Sequence, residues 1–177
     1  MKRTRLDDPN SWQATMNTLA KAVIQGTLLL SILLTMSAWA EIPVRQALIL
    51  DDGQQQHELH VEIARTAAQR ARGLMERDAL PAEAGMLFVY DSEQSGSNAY
   101  WMYKTRIPLD IAFIDSQGVI RSLRTMSPCR STSSRECPVY PAGAPFRAAL
   151  ETNAGYFAAH DIAVGDRIEL APWLEAP

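Results

Sequence analysis

The sequence has 177 residues, of which 17 are basic and 20 acidic, giving a formal net charge of −3 at pH 7. A mildly acidic chain without a basic run is a poor candidate for nucleic-acid binding. No histidine lies near either cysteine in the sequence, and two sulfurs alone would leave zinc half-ligated. The composition therefore predicts neither a nucleic-acid partner nor a metal site, and no motif predicts a cofactor.

Residues 1–40 have the pattern of a secretory signal peptide. Basic residues such as Lys2 and Lys21 precede an apolar core at 28–34, and Ala38-Trp39-Ala40 gives the small-x-small cleavage motif. Met16 is a second candidate for the translation start, since it would leave a more compact signal.

An uncleaved membrane anchor is the alternative interpretation of this segment. The apolar stretch 22–38 is interrupted by polar residues and is shorter than the roughly 20 apolar residues that a spanning helix needs. We therefore predict cleavage after Ala40, no lasting membrane anchor, and a periplasmic or secreted chain of residues 41–177.

The exported segment is predicted to form one β-rich domain. Strands are predicted over 45–50, 57–64, 85–90, 99–103, 109–114, 119–125, 146–152 and 167–170. Thr66 and Gln69 form a capping-box pattern that predicts a short helix ending near Gly73, and a second short helix is predicted over 155–160. Polar residues predict loops over 91–98 and 127–144. The expected fold is α+β, mainly β, with an antiparallel, partly closed, barrel-like sheet and two short helices.

The two cysteines, Cys129 and Cys137, both lie in the exported segment, eight positions apart. Cysteines so placed usually pair in an oxidising compartment. The alternatives are a metal site and two free thiols. We predict a disulfide that orders the loop around it.

Seven short segments carry a resemblance to a known family. In chain order they are Arg72-Gly73-Leu74-Met75, Gly85-Met86-Leu87-Phe88, Trp101-Met102, Ile107-Pro108-Leu109-Asp110-Ile111, Cys137-Pro138, Leu150-Glu151 and Gly165-Asp166. Together they resemble domain-of-unknown-function family 192, an uncharacterised ancient conserved region, from about residue 59 to 170. The resemblance implies a small β-rich fold that is often exported, and it implies no activity. Where the family usually has Lys-Asn-Thr after Trp-Met, this chain has Tyr103-Lys104-Thr105.

Two carboxylates occur where solvent should be scarce. Asp110 and Glu151 each directly follow a leucine in or beside a predicted strand, and burying a carboxylate is costly unless it is paired or hydrogen-bonded. Each could hold backbone amides or pair with an arginine such as Arg72 or Arg106, which is a structural role. Alternatively, the two could meet in a cleft and bind a ligand or act as acid and base.

Aromatic and sulfur-containing side chains leave further alternatives open. Tyr100 and Trp101 are adjacent in a predicted strand, so one of them should face outward, either as a sugar or peptide surface or as a cap on the core. Met75, Met86 and Met102 could ligate Cu(I), but without closely spaced methionine clusters core packing is favoured. No serine or cysteine hydrolase motif accompanies the histidines His57, His60 and His160.

The sequence thus predicts an exported, monomeric, non-enzymatic binding or accessory module for a small-molecule, glycan or protein ligand. The candidate ligand-binding residues are Arg72, Trp101, Asp110 and Glu151. The alternative is a small cell-envelope glycan hydrolase that uses Asp110 and Glu151. Two carboxyl groups about 5–10 Å apart across an open cleft would favour the enzyme.

Overall fold

The computed structural model describes residues 46–51 and 53–174. The predicted signal peptide, residues 1–40, lies outside the described residues. The strands are β1 (Gln46–Asp51), β2 (Gln56–Ala64), β3 (Ala84–Gln94), β4 (Ala99–Trp101), β5 (Leu109–Ile114), β6 (Ile120–Met126), β7 (Val139–Pro141), β8 (Phe146–Asn153) and β9 (Arg167–Ile168). The helices are α1 (Ala67–Arg72), α2 (Tyr156–Ala159) and α3 (Ala171–Leu174), and a 3₁₀ turn covers Ser134–Glu136.

Within the described chain, seven strands form one curled sheet in the order β6-β5-β8-β3-β2-β1-β9. Every neighbouring pair is antiparallel except β2 and β3, which are parallel and are joined by the crossover that contains α1. Strands β4 and β7 form a separate antiparallel pair. The prediction of a mainly β domain with a partly closed sheet is confirmed, and the antiparallel expectation holds at every pair of the large sheet but one.

Strand β9 draws the two edges of the sheet toward each other. It pairs with β1, and it also contacts the segment that leads into β6, where Val119 and Arg167 form a β-bridge. The Ile168 amide donates a hydrogen bond of 2.7 Å to the Gly118 carbonyl. The sheet is therefore a half-barrel whose opening is bridged by β9.

The sheet has a hydrophobic core on each face. The first core contains, among others, Leu48, Leu50, Leu59, Val61, Ala112, Ile114, Leu150, Phe157 and Ile168. The second contains Leu74, Met86, Phe88, Met102, Ile111, Phe113, Phe146 and both cysteines. Each central strand contributes alternate residues to the two cores, as the period of two along a strand requires.

Helix α1 begins and ends as the sequence predicts. Thr66 Oγ1 accepts a hydrogen bond from the Gln69 amide at 3.1 Å, and Gln69 Oε1 accepts one from the Thr66 amide at 2.9 Å, which completes the capping box. Gly73 ends the helix with φ of 48°, and a Cβ there would lie 3.3 Å from the Phe88 ring. A glycine at this position lets the chain turn closely over the second core.

Three secondary-structure assignments were not predicted from the sequence. Strand β3 continues to Gln94, into the segment 91–98 predicted as a loop, and β7 lies within the predicted loop 127–144. A third helix, α3, follows β9. The partner of β7 is β4, about forty residues earlier in the chain, so its formation depends on a long-range pairing that local sequence patterns do not reveal.

Replacing Gly118 should weaken the closure of the sheet. Its φ is +81°, and a Cβ would lie 2.3 Å from the Ile168 carbonyl oxygen. An alanine would be strained in this left-handed conformation, and the backbone near Ile168 would also have to move. We therefore expect Gly118→Ala to lower the free energy of unfolding, measured by urea titration, by about 2 kcal/mol or more.

Gly53→Ala is the matched control. Gly53 has a similar φ of +86° with no atom within 4 Å of the added Cβ, so it should suffer the conformational strain alone, about 1 kcal/mol. Equal losses in the two variants would show that the contact with β9 contributes nothing.

Candidate functional site

A cavity of about 140 Å³ opens on the face of the sheet that carries the second core. The end of α1 and the turn that follows it form one side, β4 forms another, and β3 and β8 contribute to the lining. Its polar and aromatic lining residues are Arg70, Arg72, Tyr90, Tyr100, Trp101, Thr105 and Glu151. The cavity combines a carboxyl, two guanidinium groups and aromatic rings in a small volume.

Register explains why Glu151 faces this cavity. In β8, Glu151 pairs with Met86 of β3 and with Ile111 of β5, both of which pack in the second core. Side chains opposite one another in a sheet point to the same face. Gly85 allows β3 to run close to β8 here, because a Cβ at Gly85 would lie 2.6 Å from the Glu151 carbonyl oxygen.

Glu151 is buried and has no partner among the residues that the structure describes. It is 5% exposed, and its carboxyl has no hydrogen bond or ion pair with any described residue. Burial raises its pKa from 4.5 to about 8, so the protonated form predominates at pH 7. A carboxyl group whose pKa is raised by burial and that lines an open cavity is a candidate functional group.

Two tyrosines, Tyr90 on β3 and Tyr100 on β4, form part of the aromatic lining. The Tyr90 and Tyr100 hydroxyls are 2.8 Å apart and share a hydrogen bond. The Tyr100 ring packs edge-on against Phe88 and Phe113 at centroid distances of 5.3 and 5.5 Å. Burial raises the pKa of both tyrosines, so both phenols are neutral hydrogen-bonding groups at physiological pH.

Arg70 is held in place by backbone and aromatic contacts. Its guanidinium lies 4.6 Å from the centroid of the Tyr90 ring, and Nη1 donates to the Val89 carbonyl at 3.0 Å and to the Arg65 carbonyl. A guanidinium fixed in this way is pre-organised for an anion.

The mouth of the cavity is formed by exposed side chains. Arg72 is exposed at the end of α1, and Trp101 is 45% exposed. The Tyr103 ring lies 5.7 Å from the Trp101 ring, tilted by 46°. The prediction that one of Tyr100 and Trp101 faces outward is confirmed, and the outward residue is Trp101.

Asp110 lies on the opposite face of the sheet. It pairs with Thr152 rather than with Glu151, and its carboxylate accepts hydrogen bonds from Thr125 Oγ1 at 2.7 Å and from the Gly155 amide at 2.8 Å. It thereby ties the start of α2 to β5 and β6. A bond from a backbone amide is one of the structural contacts that the sequence left open for Asp110, and its other partner is a hydroxyl rather than an arginine.

Three of the four predicted site residues therefore share one cavity, and Asp110 does not. Because the sheet separates Asp110 from Glu151, the two carboxyl groups do not face each other across a cleft. This geometry removes the basis of the predicted hydrolase pair. A ligand-binding role for Arg72, Trp101, Asp110 and Glu151 stays a prediction.

A second buried glutamate shows how this face of the sheet accommodates a charge when a partner exists. Glu62 pairs with Met86 across the strands, on the same face as Glu151. Both of its oxygens bind Arg77, at 2.6 Å each. Of the two arginines proposed as partners for the site carboxylates, Arg106 instead binds Asp78 at 2.8 Å.

The predicted disulfide is confirmed. Cys129 and Cys137 are bonded, with a Cα–Cα distance of 5.6 Å. Cys129 forms a β-bridge with Tyr103, and both cysteines pack in the second core. Of the three methionines considered as copper ligands, Met86 and Met102 are buried in the same core, while Met75 lines the cavity.

Among residues 46–51 and 53–174, no group of three or more histidine, cysteine, aspartate or glutamate side chains is placed to hold a metal ion. No helix in this part of the chain is long and apolar enough to cross a membrane.

The two carboxylates should respond oppositely to removal. Asp110→Ala leaves the Gly155 amide and the Thr125 hydroxyl without an acceptor, so we expect it to lower the free energy of unfolding by about 1–3 kcal/mol. Glu151→Gln removes a carboxyl group whose ionisation is opposed by burial, so it should raise the melting temperature at pH 8 by several degrees.

The pH dependence of Glu151 has a definite sign. Because its folded-state pKa of about 8 exceeds its usual 4.5, the folded protein binds more protons than the unfolded chain between these values. Stability of the wild type should fall as pH rises from about 4.5 to 8, and Glu151→Gln should flatten this slope. Melts of Glu62→Gln provide the control, since loss of the Arg77 ion pair should destabilise. A less stable Glu151→Gln at pH 8 would contradict this assignment.

Comparison with known proteins places the chain in a family. The sequence model of domain-of-unknown-function family 192, described as an uncharacterised ancient conserved region, matches residues 48–170. No curated protein matches the sequence.

Two solved structures are similar to the chain. One, from Sinorhizobium meliloti 1021 and named a "putative transcription regulator", is 31% identical with a TM-score of 0.62, covering 71% of this chain and 92% of that one. The other, a protein of unknown function from Novosphingobium aromaticivorans, is 30% identical with a TM-score of 0.62, covering 71% of this chain and 84% of that one. Since the family model spans most of the described residues, the chain belongs to domain-of-unknown-function family 192.

Proposed function

We propose that the protein is an exported, non-enzymatic binding module and that the cavity above Glu151 is its ligand site. The observation that carries this proposal is the buried Glu151 carboxyl, which lines an open cavity without a hydrogen-bonding partner among the described residues. A group in that state lowers the stability of the free protein, and a ligand that supplies the missing partner would recover the loss.

The remaining lining supports binding rather than catalysis. The cavity contains one carboxyl group within the described chain, whereas glycoside hydrolysis needs two that face each other. The tyrosine pair, the fixed Arg70 and the exposed Trp101 supply hydrogen bonds, a positive charge and an aromatic surface. These are the few convergent polar groups on an apolar wall that typify small-molecule sites.

Export is supported by two independent features. The sequence of residues 1–40 has the three parts of a signal peptide, and the Cys129–Cys137 disulfide is of a kind that persists in oxidising compartments. A ligand would then be a small molecule, glycan or peptide group present outside the cytoplasm.

Thermal shift of the mature protein with a panel of solutes tests the cavity. The panel contains neutral monosaccharides, uronic acids, free amino acids, simple amines and dicarboxylic acids. We expect at least one class of solute to raise the melting temperature. A ligand whose concentration is 100 times its dissociation constant stabilises the folded protein by about 2.7 kcal/mol.

A matched pair of helix variants locates the binding. Ala71 is exposed on α1 and lines the cavity, whereas Ala68 is exposed on the same helix away from it. Ala71→Trp should abolish the shift by filling the mouth, and Ala68→Trp should preserve it. The cavity is not the ligand site if no solute gives a shift, or if both variants keep it.

Sequencing the N-terminus of the protein recovered from the periplasm or medium tests export. The mature chain should begin at Glu41, because Ala38-Trp39-Ala40 fits the cleavage site. A membrane-bound product that retains residues 22–40 would contradict the prediction.

A further inference from the structure

The cavity holds a carboxyl group that is not paired with the guanidinium groups beside it. Arg70 and Arg72 line it together with Glu151, yet neither arginine forms an ion pair within the described part of the chain. Three of the other arginines there form ion pairs, namely Arg77 with Glu62, Arg106 with Asp78 and Arg121 with Asp115. The cavity therefore presents a carboxyl and guanidinium groups that form no ion pair with one another or with another side chain of the described residues. Arg70 Nη1 is already occupied by the Val89 and Arg65 carbonyls.

The tyrosine pair lies within electrostatic reach of both kinds of group. Arg70 stacks on the Tyr90 ring and opposes the rise in the Tyr90 pKa, while the charge of Glu151 contributes to raising the pKa of Tyr90 and of Tyr100. The guanidinium and the carboxyl thus face one small space without meeting, in a volume of about 140 Å³. That space suits a compact molecule of a few heavy atoms.

We infer that the ligand is a small zwitterion, a free α-amino acid, whose ammonium group binds Glu151 and whose carboxylate binds Arg70 and Arg72. This inference rests on the proposed function and names its ligand class. An ammonium carries only donors and matches a carboxylate, and a carboxylate matches the forked donors of a guanidinium. Trp101, exposed at the mouth, lies where it can contact the amino-acid side chain.

The inference predicts a proton linkage. The titratable and charged groups that line the cavity with Glu151 are Arg70, Arg72, Tyr90 and Tyr100, and burial raises the pKa of both tyrosines. An ammonium ligand requires the ionised carboxylate, so binding below pH 8 must release a proton. Affinity should therefore rise with pH, approaching about tenfold per unit, up to the Glu151 pKa of about 8.

Isothermal titration calorimetry with the twenty free L-amino acids provides the first test. Each that binds is compared with its N-acetyl form, which lacks the ammonium, and with its amide form, which lacks the carboxylate. We expect each blocked form to bind at least about tenfold more weakly, the equivalent of about 1.4 kcal/mol. Equal binding by either blocked form would overturn the inference.

Variants assign the two ends of the ligand. Glu151→Gln should lower the affinity for the free amino acid about tenfold or more and remove the pH dependence of that affinity. It should leave the affinity for the N-acetyl form unchanged. Arg72→Gln should lower the affinity for the free amino acid but not the affinity for its amide form. Arg130→Gln, an exposed arginine that does not line the cavity, is the control and should change nothing.

The outcomes separate this inference from the proposed function. Suppose that a sugar, uronic acid or simple amine binds, that Ala71→Trp abolishes this binding, and that no free amino acid binds. The cavity then remains the ligand site, and the assignment of a zwitterionic ligand is wrong. Affinity that falls as pH rises from 6 to 8 would also overturn it, since that trend requires a protonated Glu151 that donates to the ligand. If no compound binds, both proposals fail.

Discussion

The alternation of side chains along β8 is the constraint on which the rest of the structure depends. This strand lies between β3 and β5 in the sheet, so its backbone is paired on both sides and its register is fixed. Successive residues must then enter opposite cores. Glu151 is directed to the cavity face, and Thr152 to the face that carries Asp110. Two carboxylates with similar sequence surroundings thus acquire different roles.

Glu62 and Glu151, the two buried glutamates on the face of the sheet that carries the second core, show how a partner changes the cost of burying a carboxyl group. Glu62 is held by two hydrogen bonds of 2.6 Å from Arg77, so its burial is offset by an ion pair. Glu151 has no such partner in the part of the chain that the structure describes, and its burial opposes ionisation. A fold that satisfies one carboxyl and leaves its neighbour unsatisfied beside an open cavity has the form expected where stability is sacrificed for binding.

Most elements were predictable because their signals are local. The alternation over 57–64 predicts β2, and the Thr66 capping box predicts α1, since both patterns depend on neighbouring residues alone. The pairing of β7 with β4, the parallel contact between β2 and β3, and the extension of β3 along β8 were not predictable, because their partners are distant in sequence. For the site, the lining residues Arg70 and Tyr90 were missed. Tyr90 shares a strand face with Met86 and Phe88, but periodicity does not say which face carries a cavity.

The sequence by itself determined the family, the β-rich class, the disulfide pairing and three residues of the cavity, because these follow from motifs, periodicity and cysteine spacing. Only the tertiary structure decided that Asp110 is hydrogen-bonded while Glu151 has no partner among residues 46–51 and 53–174. That distinction depends on which groups the folded chain brings within about 3 Å of each carboxyl. Hydrogen-bond distances of that kind arise from strand register and loop closure, which connect residues far apart in the sequence.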